Sequence, residues 1–212
     1  MRISVLVLAL AATGASAQLS STGPFVGACS DDFESYAHYG TSGSLDSLGI
    51  MGGCATMLSD PTGSGQVWIY NIPLAGWGLG GHGSATTNSG SQGMGLFQSA
   101  LPISTTLQFT TAVSRFGGYF AVESDPLGSG VMTLEFYDAS STQIGATQTI
   151  TSASNAMVWS GWNSTVPIDY IVFGGGVIAP VMDDLQADPV PEPATLVALG
   201  AGLAALAARR RK

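Results

Sequence analysis

Between residues 18 and 188 no stretch of a dozen residues places apolar side chains at i, i+3, i+4 and i+7. An amphipathic helix needs that stripe to bury one face, so the interior of this chain has no basis for a helical bundle. What recurs instead is a short run rich in Val, Ile, Thr, Phe, Tyr and Trp, closed off by Gly, Ser, Asn or Pro. Such runs stand at 66–72 (QVWIYNI), 106–113 (TLQFTTAV), 118–123 (GYFAVE) and 131–137 (VMTLEFY). Others follow at 143–150 (QIGATQTI), 156–162 (AMVWSGW), 169–173 (DYIVF) and 181–185 (VMDDL). Asp138-Ala139-Ser140-Ser141 has turn chemistry and predicts a hairpin. The stretch 84–95 is almost pure Gly, Ser, Thr, Asn and Gln, and reads as a long surface loop. Many short strands without helices predict an all-β body, a two-sheet sandwich or jelly roll.

Charge narrows the partners. Of six basic residues, Arg2, Arg209, Arg210, Arg211 and Lys212 lie at the two ends, and only Arg115 lies in the body. Of fourteen acidic residues, only Glu192 lies outside it. Phosphate binding needs clustered Lys and Arg, so nucleic acid is excluded as a partner. The body suits a secreted, soluble domain whose carboxylates are free for divalent cations.

Both ends read as addresses. Arg2 and the apolar run 3–12 precede Ala15-Ser16-Ala17, a small-x-small cleavage site, so 1–17 reads as a signal peptide. The Sec translocon and signal peptidase are the partners this implies. Export leads to a disulfide-permissive compartment, where Cys29 and Cys54 are expected to pair. The far end holds Pro191, Glu192 and Pro193, an apolar run 195–208, then Arg209, Arg210, Arg211 and Lys212. The apolar run is shorter than the ~20 residues of a comfortable span, but snorkelling arginines and a thinned bilayer make a temporary span feasible. The terminal cations then stay on the cytoplasmic side.

This tripartite ending resembles the PEP-CTERM sorting signal of Gram-negative bacteria. The resemblance implies recognition and cutting by a membrane-embedded exosortase, a transient inner-membrane anchor, and release to the envelope or the exterior. A permanent tail anchor is the alternative. The resemblance divides the chain into signal peptide 1–17, body 18–188 and sorting segment 189–212. It also implies a place in exopolysaccharide or biofilm matrix.

The stretch 115–185, with RFGGYFAVESDPLGSGVMTLEFYDASSTQIGATQTI, MVWSGWNSTVPIDYIVFGGG and VMDDLQ, is similar to bodies carried by PEP-CTERM proteins. Such bodies resemble the jelly-roll sandwiches of carbohydrate-binding modules and lectin-like domains. If first and last strands are neighbours, Asp31, Asp32 and Glu34 converge with Asp183 and Asp184, and repulsion among them favours a hard cation. The resemblance suggests structural Ca²⁺ at Glu34 with Asp183 or Asp184. Adjacent strand residues face opposite ways, so only one of Asp183 and Asp184 is expected to point at a given site. A solvated acidic edge is the other reading.

Catalytic constellations do not emerge. Residues 78–83 match G-x-G-x-x-G, but no helix pattern follows, so no dinucleotide site is read there. His38 and His82 are the only histidines, with no G-x-S-x-G and no H-E-x-x-H. Among Trp68, Tyr70, Trp77, Trp159 and Trp162, core packing competes with stacking on sugar rings, and Trp77 and Trp159 are the stacking candidates. The expectation is a non-enzymatic surface or matrix protein. A carbohydrate-binding module is the alternative, and a secreted hydrolase with paired carboxylates a third.

Overall fold

Strand follows strand along the chain. In the computed structural model, which describes residues 18–36, 47–58, 66–71, 87–97, 103–122, 131–151, 157–175 and 180–191, they are β1 (Leu19–Ser21), β2 (Cys29–Asp31), β3 (Ser47–Ile50) and β4 (Ala55–Leu58). Then come β5 (Gln66–Asn71), β6 (Gln92–Phe97), β7 (Ile103–Ala121), β8 (Val131–Tyr137), β9 (Gln148–Thr151), β10 (Val158–Gly175) and β11 (Val181–Pro189). One 3₁₀ turn, Met51–Gly53, joins β3 to β4. The signal peptide, His38, Trp77, residues 78–83 with His82, and the sorting residues Glu192, Pro193, Arg209, Arg210 and Arg211 lie outside the described residues.

Every strand pairing is antiparallel, and the pairings join into one sheet ordered β5-β6-β11-β7-β10-β8-β9. β7 and β10 are long enough to serve both halves of it. The lower part of β7 pairs with β4 and with 168–175 of β10, while its upper part pairs with β11 and with 158–163 of β10. Between those parts the register of β10 slips from Asn163 to Ile168. Pro167 sits in the slip and has no N–H to give a ladder, so the strand can bend there.

The bend shows in the core. Phe109 and Phe116 are seven residues apart on β7, ~23 Å along a straight strand, yet their ring centroids lie 6.0 Å apart. Phe136 of β8 stands opposite Ile171, and its ring lies 5.2 Å from that of Trp162, nine residues up β10. The sheet therefore folds over, and its halves face each other across Phe116, Phe120, Phe136, Phe173, Leu107 and Met94, all fully buried. The all-β expectation agrees with this architecture.

Several boundaries differ from the sequence reading. The runs 106–113 and 118–123 are one strand, because Gly117 and Gly118 interrupt the apolar pattern without interrupting the ladder. The runs 156–162 and 169–173 are likewise one strand, bent at the slip rather than ended. The predicted turn at 138 is present: Asp138 Oδ1 accepts from the amides of Ser140 and Thr142, both at 2.9 Å. The returning strand starts only at Gln148, because Gly145 takes φ +68 and carries the chain out of the extended region. Part of the predicted loop 84–95 is strand β6, whose alternating glycines Gly93 and Gly95 are buried and hide the period-2 signal.

Cys29 and Cys54 form a disulfide, Cα to Cα 6.1 Å, across a sequence separation of 25. It ties β2 to the residue that follows the 3₁₀ turn. Closing such a loop stabilises by ~3 kcal/mol through loop-closure entropy.

Candidate functional site

β2 pairs with β11, Asp31 opposite Leu185, so the acidic residues near both ends of the body do meet. At this junction β11 carries a bulge. Tyr119 stands opposite Asp183 and Gly117 opposite Gln186, which leaves Gly118 facing both Asp184 and Leu185. Asp184 takes φ +47, a left-handed conformation that Asp tolerates better than most residues. That turn corrects the alternation expected from the sequence: both neighbouring carboxylates reach the same loop.

Asp183 Oδ2 accepts from the amides of Asn88 at 2.9 Å and Ser89 at 3.0 Å. Asp184 accepts from the Asn88 side-chain amide at 2.6 Å and the Ser89 hydroxyl at 2.8 Å. Glu34 completes the clamp from the other side. Its Oε1 accepts from the amides of Ser91 and Gln92, each at 2.6 Å. Three carboxylates thus hold one loop, 88–92, through amide and hydroxyl donors.

Their environments differ. Asp183 is fully buried, and that burial, aided by the neighbouring Asp184 charge, pushes its carboxyl up to about 6 against the pull of the three amides. Glu34 is exposed, and the amides of Gln92 and Ser91 hold it below the usual carboxylate range. Asp31, also buried, organises the adjoining turn. It accepts from the amides of Phe33 at 2.9 Å and Met51 at 2.6 Å and from the Tyr36 hydroxyl at 2.6 Å. Phe33 and Met51 both have positive φ, so one carboxylate steadies two residues in an unfavourable backbone region. Burial and the Asp31 bond push the Tyr36 hydroxyl far above its ordinary range.

Beside the clamp lies a shallow polar cavity of about 460 Å³, lined by Asp31, Asp32, Ser35, Tyr36, Asp184 and Gln186 among others. Among the described residues no three His, Cys, Asp or Glu side chains group as a metal site. Glu34, Asp183 and Asp184, the residues expected to hold Ca²⁺, are each engaged here as hydrogen-bond acceptors. The ion takes six to eight oxygens, whereas Glu34 Oε1 and Asp183 Oδ2 each already face two N–H donors.

Trp159 is held on several sides. Its indole N–H donates to Thr22 O at 2.9 Å, and Phe25 and Tyr119 pack edge-on at 5.5 and 5.3 Å. The ring lies against the cross-strand pair Gly117 and Gly161; a Cβ on Gly117 would meet Trp159 at 2.7 Å. Trp162 is buried and donates to Gln148 Oε1 at 3.0 Å. For these two the packing half of the sequence reading describes what they touch.

A different aromatic pair stands on the outer face. Tyr137 and Tyr170 stack with centroids 4.8 Å apart and planes 8° from parallel. Glu135 accepts from the Tyr137 hydroxyl at 2.8 Å and from Thr147 Oγ1 at 3.1 Å. Gln108 donates to Asp169 Oδ2 at 2.9 Å on the neighbouring strands. The Glu135 carboxylate, by accepting that bond, raises the Tyr137 hydroxyl to about 12. Neither tyrosine was singled out from the sequence. The signal was present in VMTLEFY: with Met132, Leu134 and Phe136 facing inward, period 2 puts Tyr137 outside.

Comparison with known proteins adds little to the body. The K2 cleaved adhesin domain of Lys-gingipain is similar in structure, with 16% identity over 74% of this chain and 96% of that one, TM-score 0.48. TmCBM61, solved in complex with β-1,4-galactotriose, is similar at 13% identity over 64% of this chain and 88% of that one, TM-score 0.39. No curated protein matches the chain. Among the described residues no helix is long and apolar enough to cross a membrane. The segment after the sheet is the informative match: residues 189–212 carry the PEP-CTERM protein-sorting motif, which marks an exported chain with a C-terminal sorting signal for exosortase.

Proposed function

We propose that this chain is an exported, non-enzymatic cell-surface or extracellular-matrix protein, delivered to the envelope and released from the inner membrane by exosortase. The observation that carries it is the sorting motif at 189–212, which begins where the sheet ends at β11. The body between the two addresses, 18–188, acts as one domain of jelly-roll-like sandwich type. Its acidity suits a hydrated exopolysaccharide or biofilm matrix, in which a protein stays soluble and does not adhere to phosphate. Export runs through the Sec translocon and signal peptidase. Fractionation tests this: the protein collects in medium and outer layers when exosortase is present, and in the inner membrane when it is deleted. Inner-membrane retention in both strains contradicts it.

A second reading, a carbohydrate-binding surface, is favoured by the Tyr137–Tyr170 pair. Tyrosine rings offer flat apolar area with polar tips, and here carboxylate and amide groups that can meet sugar hydroxyls surround them. Retention of the purified body on immobilised exopolysaccharide, lost when both tyrosines become alanine, is the expected result.

A further inference from the structure

The sorting motif starts inside the fold. Pro189 belongs to β11 and stands opposite Val113, and the Val190 amide donates to Ala112 O at 2.8 Å. The first residue of the matched segment is therefore in the strand, and the second is hydrogen-bonded to β7. β11 is also an interior strand, with β7 along one edge and β6 and β2 along the other.

Its end is tied down by side chains as well as by the ladder. Asp188 Oδ1 accepts from the Ala28 amide at 2.9 Å. Asp188 Oδ2 accepts from Arg115 Nε at 2.8 Å, and the same guanidinium lies 3.9 Å from the centre of the Phe25 ring. Arg115 is the one cation of the body, and it is spent on this residue. Immediately beyond, the chain changes character. Pro189, Pro191 and Pro193 alternate, so one edge of the chain offers no N–H from 189 to 193, and no ladder can grow there. Pro191 is exposed.

A protease must draw its substrate out as an isolated extended segment, and β11 cannot be drawn out without losing pairings on both edges. We propose that the folded body sets the upstream limit of processing: scission falls beyond the Val190–Pro191 bond, and the mature protein keeps all of β11. This rests on the exosortase reading above. In the step itself one peptide C–N bond breaks; the oxygen of water joins the carbonyl carbon and its proton goes to the leaving amine. An acceptor hydroxyl or amine in place of water leaves the same C-terminal residue.

The experiment maps the C-terminal residue by peptide mass in protein from an exosortase-positive host, for the wild type and for Arg115→Met. Wild-type termini at Pro191 or beyond are expected, with new termini at Asp188 to Val190 in the variant, where the strand end is loosened. A wild-type terminus at or before Val190 overturns the inference. So does an unchanged terminus in an R115M protein whose Val190 amide exchanges faster, because the enzyme alone then sets the limit. If the variant does not fold, hydrogen exchange of Val190 in the wild-type protein decides, and an unprotected amide overturns the inference. A tail left whole in the wild type strikes instead at the exosortase reading.

Discussion

Asp183 and Asp184 are neighbours on β11, yet both carboxylates grip the same two residues, Asn88 and Ser89. In a regular strand they would point to opposite faces. The left-handed turn at Asp184 brings them together, and with Glu34 they fasten loop 88–92 to the seam where β2 meets β11. The acidic cluster is in this sense an internal clasp, built from carboxylate-to-amide bonds that are individually stronger than neutral ones.

The clasp gives stability an acidic optimum. Asp183 has its carboxyl raised to about 6 in the fold, so its contribution is full below the unfolded value near 4 and is lost as pH rises through about 6. Glu34 and Asp138 are lowered, so their contributions are present above the unfolded carboxylate range and are lost as pH falls through their folded values. The melting temperature is expected to peak near pH 5. Asp183→Asn is expected to flatten the decline between pH 4 and 6, a term of about 2–3 kcal/mol. An unchanged slope in D183N would remove Asp183 from this role.

Calcium is expected to leave the body indifferent. Since the carboxylate oxygens already face amide hydrogens, millimolar Ca²⁺ or excess chelator should shift the melting temperature of the purified body by less than about 1 °C, whereas a ligand at 100 times its Kd would add ~2.7 kcal/mol. A large shift would mean that loop 88–92 rearranges around an ion.

Gly117→Ala is expected to destabilise by about 1–3 kcal/mol through overpacking, because its Cβ would sit 2.7 Å from the Trp159 ring and 2.9 Å from the Gly161 backbone. Trp159→Ala should also destabilise, by less than the about 3–5 kcal/mol of a fully buried ring, because this one is half-buried. Loss of glycan retention in that variant is therefore informative only at temperatures where it remains folded. Chemical denaturation followed by circular dichroism measures both.

The tyrosine face separates binding from folding. Tyr137→Ala with Tyr170→Ala should abolish retention on exopolysaccharide while costing less stability than Trp159→Ala, since both rings pack on the outside of the sheet. Full retention in the double variant would exclude this face as the binding surface.

Much of the fold was legible because its strands alternate. VMTLEFY shows inward Met132, Leu134 and Phe136 directly, and the Asp138 turn announces itself by residue type. The pairing of Cys29 with Cys54 was likewise legible, because they are the chain's two cysteines in an exported context. What failed did so for local reasons. Glycines at 93 and 95 hid a real strand and those at 117 and 118 hid that two runs are one, because a residue without a side chain carries no hydrophobic signal. β2 to β4 are held by Asp31 and the disulfide more than by their own composition, so short pieces such as CSD and SLGI gave no strand signal. The meeting of Asp31 and Glu34 with Asp183 and Asp184 was inferred from strand order. The bulge that lets both aspartates share a loop rests on one dihedral angle, which a polar Asp does not advertise.

The central claim is the address, and mass spectrometry reads it directly. Intact and C-terminal peptide masses should be taken for the protein from its native host, with and without exosortase. The account expects everything after the Pro191-Glu192-Pro193 region to be absent only when the enzyme is present. An intact tail through Lys212 in both strains would contradict it and make the protein a permanently anchored one.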